Sequence, residues 1–231
     1  MRLFLDTADI EEIREINRWG VLSGVTTNPT LVFREGLDPE QVWKEILTEV
    51  EGDVSLETTE PEAEAMYEEG KRLASMAPNA VVKVPMTPDG LIAGRRLVKD
   101  GTRINVTLVF SPAQAILAAE IGAYIVSPFL GRIDDVAADG MHALRQMCEI
   151  YRVQGYETQV LAASLRHPMH VVEAALAGAD IATMPYDVFA KLVKHPLTDV
   201  GLEKFTADWD ELRKKIGSSP GAHSAEGKEG V

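Results

Sequence analysis

The sequence predicts an α/β protein: a single eight-stranded parallel barrel with an extra C-terminal helix. Three observations carry that expectation. Short β-branched or apolar runs alternate along the chain with stretches of helical periodicity, there are eight such runs, and a spacing of roughly 28 residues per unit suits a closed barrel better than an open sheet.

RLFLD (2–6) is the first strand, and DIEEIREINRW follows it with the acidic start and three- and four-residue apolar spacing of a helix. LSGVTTN (22–28) is the second, and the helical DPEQVWKEILTEV then opens on Asp-Pro. DVSLE (53–57) precedes EPEAEAMYEEGKRLASM, and AVVKVP (80–85) is a strand closed by proline. RINVTL (103–108) leads into SPAQAILAAEIG, which opens on Ser-Pro and ends at a glycine. AYIVSPF (123–129), TQVLAAS (158–164) and DIATMP (180–185) complete the eight. A brief internal likeness, AEIGAYIVS (119–127) to ALAGADIAT (175–183), supports a repeat of two units. Beyond the eighth unit, DVGLEKFTADWDELRKKIG aligns Leu202, Phe205, Trp209, Leu212 and Ile216 on one stripe, predicting a helix over about 200–216. Burying that stripe on the barrel or on another subunit would contribute on the order of 10 kcal/mol, which makes an oligomer a fair expectation. One catalytic domain is thus expected over 1–216, and a disordered tail over 217–231, where nothing is available to bury.

Composition narrows the function classes. Of 231 residues 45% are hydrophobic and 26% charged, and the formal charge of −13 argues against a nucleic-acid or anionic-membrane partner. One cysteine, Cys148, allows no internal disulfide and reads as a buried, inert thiol. The start of the chain is too quickly acidic for a signal peptide, and no uncharged run approaches the roughly 18 residues of a membrane span, so a cytoplasmic location is expected. Phosphate-binding glycine loops are missing. His167 and His170 lack the carboxylate or cysteine companions of a metal site and read as surface histidines at a helix start.

In an α/β barrel the carboxyl ends of the strands build the site. Polar residues concentrate there and are expected to be absent from the strand starts. Asp6 ends strand 1; Thr26, Thr27 and Asn28 end strand 2; Glu57 ends strand 3; Lys83 lies in strand 4; Asn105 and Thr107 lie in strand 5; Ser127 and Arg132, then Ser164 and Arg166, follow strands 6 and 7. Each has a plainer reading. Asp6 can cap a helix, though Thr7 and Asp9 would serve equally; Asn28-Pro29 can be a simple turn; Glu57 and Arg166 can be solvated charges, and Arg132 can pair with Asp134 or Asp135.

Lys83 is the hardest to dismiss. Period-two alternation puts it opposite Val82 and Val84, so if those valines meet the helices the lysine points into the barrel. An inward amine among apolar residues is expected to have a depressed pKa, and an amine must be neutral to attack a carbonyl. At an ordinary pKa of about 10.4 only roughly one molecule in 2,500 is neutral at pH 7. An imine-forming enzyme is one reading; a buried ion pair of Lys83 with Asp6 or Glu57 is the other.

LFLDTAD, GVTTNPTL, VVKVP, INVTLVFS, SPFLGRIDD and AASLRHP, in that order over about residues 1–212, closely resemble the transaldolase family, in particular its short subfamily that also contains fructose-6-phosphate aldolase. The resemblance implies a (β/α)8 TIM barrel, a Schiff-base aldol mechanism with no metal or organic cofactor, and a homo-oligomer, often a decamer of two pentamers, to which the last helix contributes. By resemblance, Lys83 forms the imine, Asp6 moves the proton of the C4 hydroxyl, and Glu57 with Thr107 and a water shuttles protons during dehydration. Asn28 and Asn105 hold the dihydroxyacetone hydroxyls with Thr26 and Ser127 beside them, and Arg132, Ser164 and Arg166 cradle the phosphate. Free-dihydroxyacetone aldolases of the subfamily carry glutamine at the position of Glu57 and tyrosine at that of Phe129, so both positions here follow the transaldolase pattern. The function implied is transfer of a dihydroxyacetone unit from sedoheptulose 7-phosphate or fructose 6-phosphate to glyceraldehyde 3-phosphate or erythrose 4-phosphate in the pentose phosphate pathway. Two alternatives stay open: an aldolase releasing free dihydroxyacetone, and a non-catalytic sugar-phosphate-binding barrel.

Overall fold

A computed structural model describes residues 1–217, and in it the eight expected strands close into one parallel barrel in chain order, with β8 paired back to β1. The strands are β1 (Arg2–Asp6), β2 (Gly24–Thr26), β3 (Asp53–Glu57), β4 (Ala80–Pro85), β5 (Ile104–Val109), β6 (Ile125–Pro128), β7 (Gln159–Ala162) and β8 (Ile181–Met184). The helices of this unit are α1 (Ile10–Arg18), α2 (Pro29–Glu35), α3 (Pro39–Glu49), α4 (Ala63–Ala74), α5 (Pro88–Lys99), α6 (Pro112–Glu120), α7 (Leu130–Asp134), α8 (Gly140–Gln154), α9 (Pro168–Ala177) and α10 (Tyr186–Lys191).

Local chemistry sets the helix starts. Proline occupies the first turn of α2, α3, α5, α6 and α9, where its missing N–H costs nothing. Asp9, not Asp6, caps α1, its side chain accepting from the backbone N–H groups of Glu11 and Glu12. Helix α2 replaces the turn that Asn28-Pro29 suggested, because Asn28 Oδ1 accepts from Leu31 N at 3.1 Å and Pro29 is already set for the first turn.

Alternation sorts the strand residues into two layers. Val25, Val54, Val82, Val84, Val106 and Val126 lie in the core between barrel and helices. Inside the barrel a second cluster of Phe4, Ile125, Leu161, Ala163 and Ile181 fills the middle. Gly24 permits this, because a Cβ there would strike the Phe4 ring and the Asp53 carbonyl.

The interior therefore has two ends, and the strand starts are not free of polar groups as expected. Arg2 donates to Asp53 at 2.7 Å and to Gln159 at 2.5 Å, Arg103 donates to Asp53 at 2.5 Å, and the Tyr124 hydroxyl donates to Asp53 at 3.0 Å. Every one of these residues opens a strand or immediately precedes one. A buried carboxylate with three donors closes the amino end of the barrel.

Among the described residues, those from Val193 to Gly217 form a separate compact unit. Its helix α11 (Pro196–Gly217) begins earlier than the sequence suggested. Leu202, Phe205, Trp209, Leu212 and Ile216 are all exposed on it. The tail expected over 217–231 lies, beyond Gly217, outside the described residues.

Candidate active site

At the carboxyl end of the barrel, Lys83 is 4% exposed, so its neighbours decide its chemistry. Nζ lies 2.9 Å from Glu57 Oε2 and donates to the Thr27 carbonyl at 2.9 Å. The strand pairing explains the first contact, since Glu57 and Lys83 are register partners on adjacent β3 and β4 and both side chains enter the barrel. Apolar surroundings were expected for this amine. The tip instead meets polar groups, because the inward face at this height is lined by the carboxyl ends of neighbouring strands.

Asp6 Oδ1 accepts from Thr26 Oγ1 at 2.9 Å, its register partner on β2. Burial, its largest influence, pushes the Asp6 carboxyl above the ordinary carboxylate value, against the opposing pull of Lys83 and the Thr26 hydrogen bond. A carboxylate held this way is a stronger base than one in water.

Asn105 is fully buried, donating to Ser55 Oγ at 3.2 Å and accepting from Ser127 Oγ at 2.6 Å. Thr107 Oγ1 is buried without a hydrogen-bond partner among the described residues. Directly after it Leu108 adopts a left-handed φ of 58°, where the β5–β6 register shifts.

A cavity of about 90 Å³ opens above these groups. Of the expected residues Asp6, Thr26, Asn28, Lys83, Ser127, Phe129, Arg132 and Ser164 line it, whereas Glu57, Asn105, Thr107 and Arg166 are not among its lining residues. The Arg132 guanidinium lies 4.9 Å from the centre of the Phe129 ring. Ser164 has φ 58° and its carbonyl accepts from Gly131 N at 3.1 Å. Gly131 is required at this crossing, because a Cβ would collide with that carbonyl and with the Arg166 side chain. Arg166 itself pairs with Asp135 at 2.8 Å on the surface.

His170 is buried rather than superficial. Its Nδ1 accepts from Arg166 N at 3.3 Å and its Nε2 is 3.4 Å from Asp134, so it pins the loop after β7 against α7. His167 accepts from His170 N as the cap of α9. Cys148 is half-buried, with burial pushing its thiol up to about 11, which keeps it protonated and unreactive. Among the described residues no group of three or more His, Cys, Asp and Glu side chains is arranged to hold a metal ion.

One wall residue escaped sequence reasoning. Thr183 on β8 lines the cavity, and its hydroxyl lies 2.7 Å from that of Thr26. In DIATMP it looked like strand filler; only its period-two alternation with the inward Ile181 could have signalled it.

The chain matches the family described as Transaldolase/Fructose-6-phosphate aldolase over residues 3–216. A protein of Bacillus cereus (strain ATCC 14579) named "Probable transaldolase 1" is 57% identical over 215 residues, covering 93% of this chain and all of that protein. One of Aquifex aeolicus named "Probable transaldolase" is 53% identical, covering 93% of this chain and 99% of the relative. The barrel itself is shared more distantly with the thiamine phosphate pyrophosphorylase from Pyrococcus furiosus, at 16% identity and a TM-score of 0.57 over 83% of this chain and 93% of that one. Match length and identity together establish that the chain belongs to the transaldolase/fructose-6-phosphate aldolase family.

Proposed function

We propose that this protein is a transaldolase of the lysine Schiff-base type, moving a dihydroxyacetone unit between sugar phosphates. The observation that carries this reading is Lys83 on the cavity wall, with a carboxylate 2.9 Å from Nζ and the buried Asp6 lining the same cavity. An ammonium ion must give up a proton before it can attack, and Glu57 is the base within reach. The free amine adds to C2 of the ketose phosphate. Loss of water, with protons passed by Glu57 and a water seated at the orphan Thr107 hydroxyl, gives the iminium. Asp6 then takes the proton of the C4 hydroxyl and the C3–C4 bond breaks, its electrons flowing into the iminium to leave an enamine and a free aldose phosphate. The enamine attacks the acceptor aldehyde, Asp6 returns the proton to the new hydroxyl, and hydrolysis frees the product and Lys83.

Asn28 and Ser127 orient the dihydroxyacetone hydroxyls from the cavity wall, and Asn105 acts with Ser127. Arg132 and Ser164 receive the phosphate, joined by Arg166 once it leaves Asp135; guanidinium groups suit phosphate even in an acidic protein. Glu57 and Phe129 favour transfer over release of free dihydroxyacetone. On this reading the enzyme serves the pentose phosphate pathway in the cytoplasm as a homo-oligomer, pentamer or decamer, with the apolar stripe of α11 at subunit contacts. Sedimentation should then give five or ten times the 25.2 kDa chain mass.

The test is an assay of sedoheptulose 7-phosphate with glyceraldehyde 3-phosphate, beside fructose 6-phosphate alone. Formation of erythrose 4-phosphate and fructose 6-phosphate in the first, with little dihydroxyacetone in the second, is expected. Multiple-turnover release of dihydroxyacetone without an acceptor would make the protein an aldolase instead.

A further inference from the structure

Thr183 has no role in the chemistry just described, yet its position is unusual. It lies on β8 and Thr26 on β2, with β1 between them, and their hydroxyls meet at 2.7 Å inside the barrel. Both residues are almost fully buried, at 2% and 3% exposure, so neither hydroxyl turns to bulk water.

The direction of this contact follows from counting protons. A threonine hydroxyl has one proton to donate. Thr26 donates to Asp6 Oδ1 at 2.9 Å, where an ionised carboxylate can only accept. With Asp6 ionised, as its role as a base requires, Thr183 donates to Thr26, and the chain runs Thr183 to Thr26 to Asp6. A hydroxyl that accepts one hydrogen bond becomes a better donor in the next, especially where water is excluded.

We infer that Thr183 is a positioning residue for the aldol step, holding Asp6 and tuning its basicity through Thr26. The inference rests on the proposed role of Asp6 as the base at the C4 hydroxyl. The charged groups acting on Asp6 are Lys83 on β4, Glu57 on β3 and Arg132 on α7. None of them reaches it through Thr183. Weakening the threonine relay makes the carboxylate harder to ionise, because a hydrogen bond to the charged form favours that form.

The experiment compares the pH dependence of kcat/KM for the wild type with Thr183→Val, Thr183→Ser and Asp6→Asn, each checked for folding by circular dichroism. Thr183→Val keeps the branched shape and removes the donor. It should move the acid limb to higher pH by about half a unit to one unit and lower kcat roughly three- to tenfold at neutral pH, with KM little changed. Thr183→Ser, which keeps the hydroxyl, should restore the wild-type limb; if valine prevents folding, Thr183→Ala takes its place. An acid limb unmoved in the valine or alanine variant, while Asp6→Asn abolishes it, overturns the relay and leaves the Asp6 assignment standing. If Asp6→Asn retains activity and the limb, the base assignment itself falls, and the relay with it.

Discussion

The two ends of the barrel hold similar residues in opposite arrangements. At the amino end a single carboxylate, Asp53, accepts from two arginines and a tyrosine, and Arg2 also donates to Gln159. At the carboxyl end Lys83 pairs with Glu57 and its charge also acts on Asp6, Thr107 has no hydrogen-bond partner among the described residues, and a cavity opens beside them. In the first arrangement the buried carboxylate is saturated with donors. The second holds a buried lysine, two carboxylates and, among the described residues, a threonine hydroxyl without a hydrogen-bond partner, which is the set that the proposed chemistry requires. A shortage of donors, more than the mere presence of charge, separates the chemical end from the structural one.

Substitutions at the two ends should therefore differ in kind. The largest effect is expected from Lys83→Met, which should reduce transfer at least roughly 10⁴-fold, as loss of a covalent nucleophile does. Next, Asp6→Asn should lower kcat by about 10²- to 10⁴-fold, the range of a lost general base. It should not lower the melting temperature at pH 7. Burial holds the folded-state pKa of Asp6 above its unfolded value, so the unfolded chain releases this proton first and stability falls as pH rises between the two values. Burial of Asp6 thus makes the protein less stable above the unfolded carboxylate pKa than below it, and thermal melts of the variant should show a gain at pH 7 that vanishes below that value, near pH 3.8.

Asp53→Asn should do the reverse, costing about 2–3 kcal/mol by leaving two arginines with one weak acceptor, while kcat stays near wild type. Chemical denaturation and steady-state rates on one preparation decide this. A collapse of kcat with unchanged stability would erase the contrast between the ends. The smallest shift is expected from Glu57→Gln combined with Phe129→Tyr, which should raise the ratio of dihydroxyacetone release to transfer by about tenfold, roughly 1.4 kcal/mol of discrimination.

How much of this was legible in the sequence depended on whether a residue's neighbours in the chain shape its surroundings. β1, β3 and β4 begin and end where their apolar alternation does, because burial and pairing act on the same residues. β2 is shorter than LSGVTTN implied, since only Gly24–Thr26 form the strand and Leu22, Ser23, Thr27 and Asn28 flank it. Lys83 stood out because valines flank it, and Asp6 because better caps lay next to it. The amino-end cluster was hidden, since Arg2, Asp53 and Arg103 lie about fifty residues apart and each looks like an ordinary solvated strand start. Thr183 was hidden for the same reason: its partner is 157 positions away, reached only when β8 closes on β1. The polar tip of Lys83 likewise depended on Thr27 and Glu57, which the chain does not place beside it.

Borohydride reduction in the presence of fructose 6-phosphate, followed by peptide mass mapping, tests the central claim most directly. One stable adduct on the peptide containing Lys83, absent without reductant or sugar, is predicted. Recovery of that peptide unmodified, with sugar phosphate still bound to the protein, would mean that the lysine is only an ion-pair partner of Glu57 and that the barrel binds sugar phosphates without transforming them.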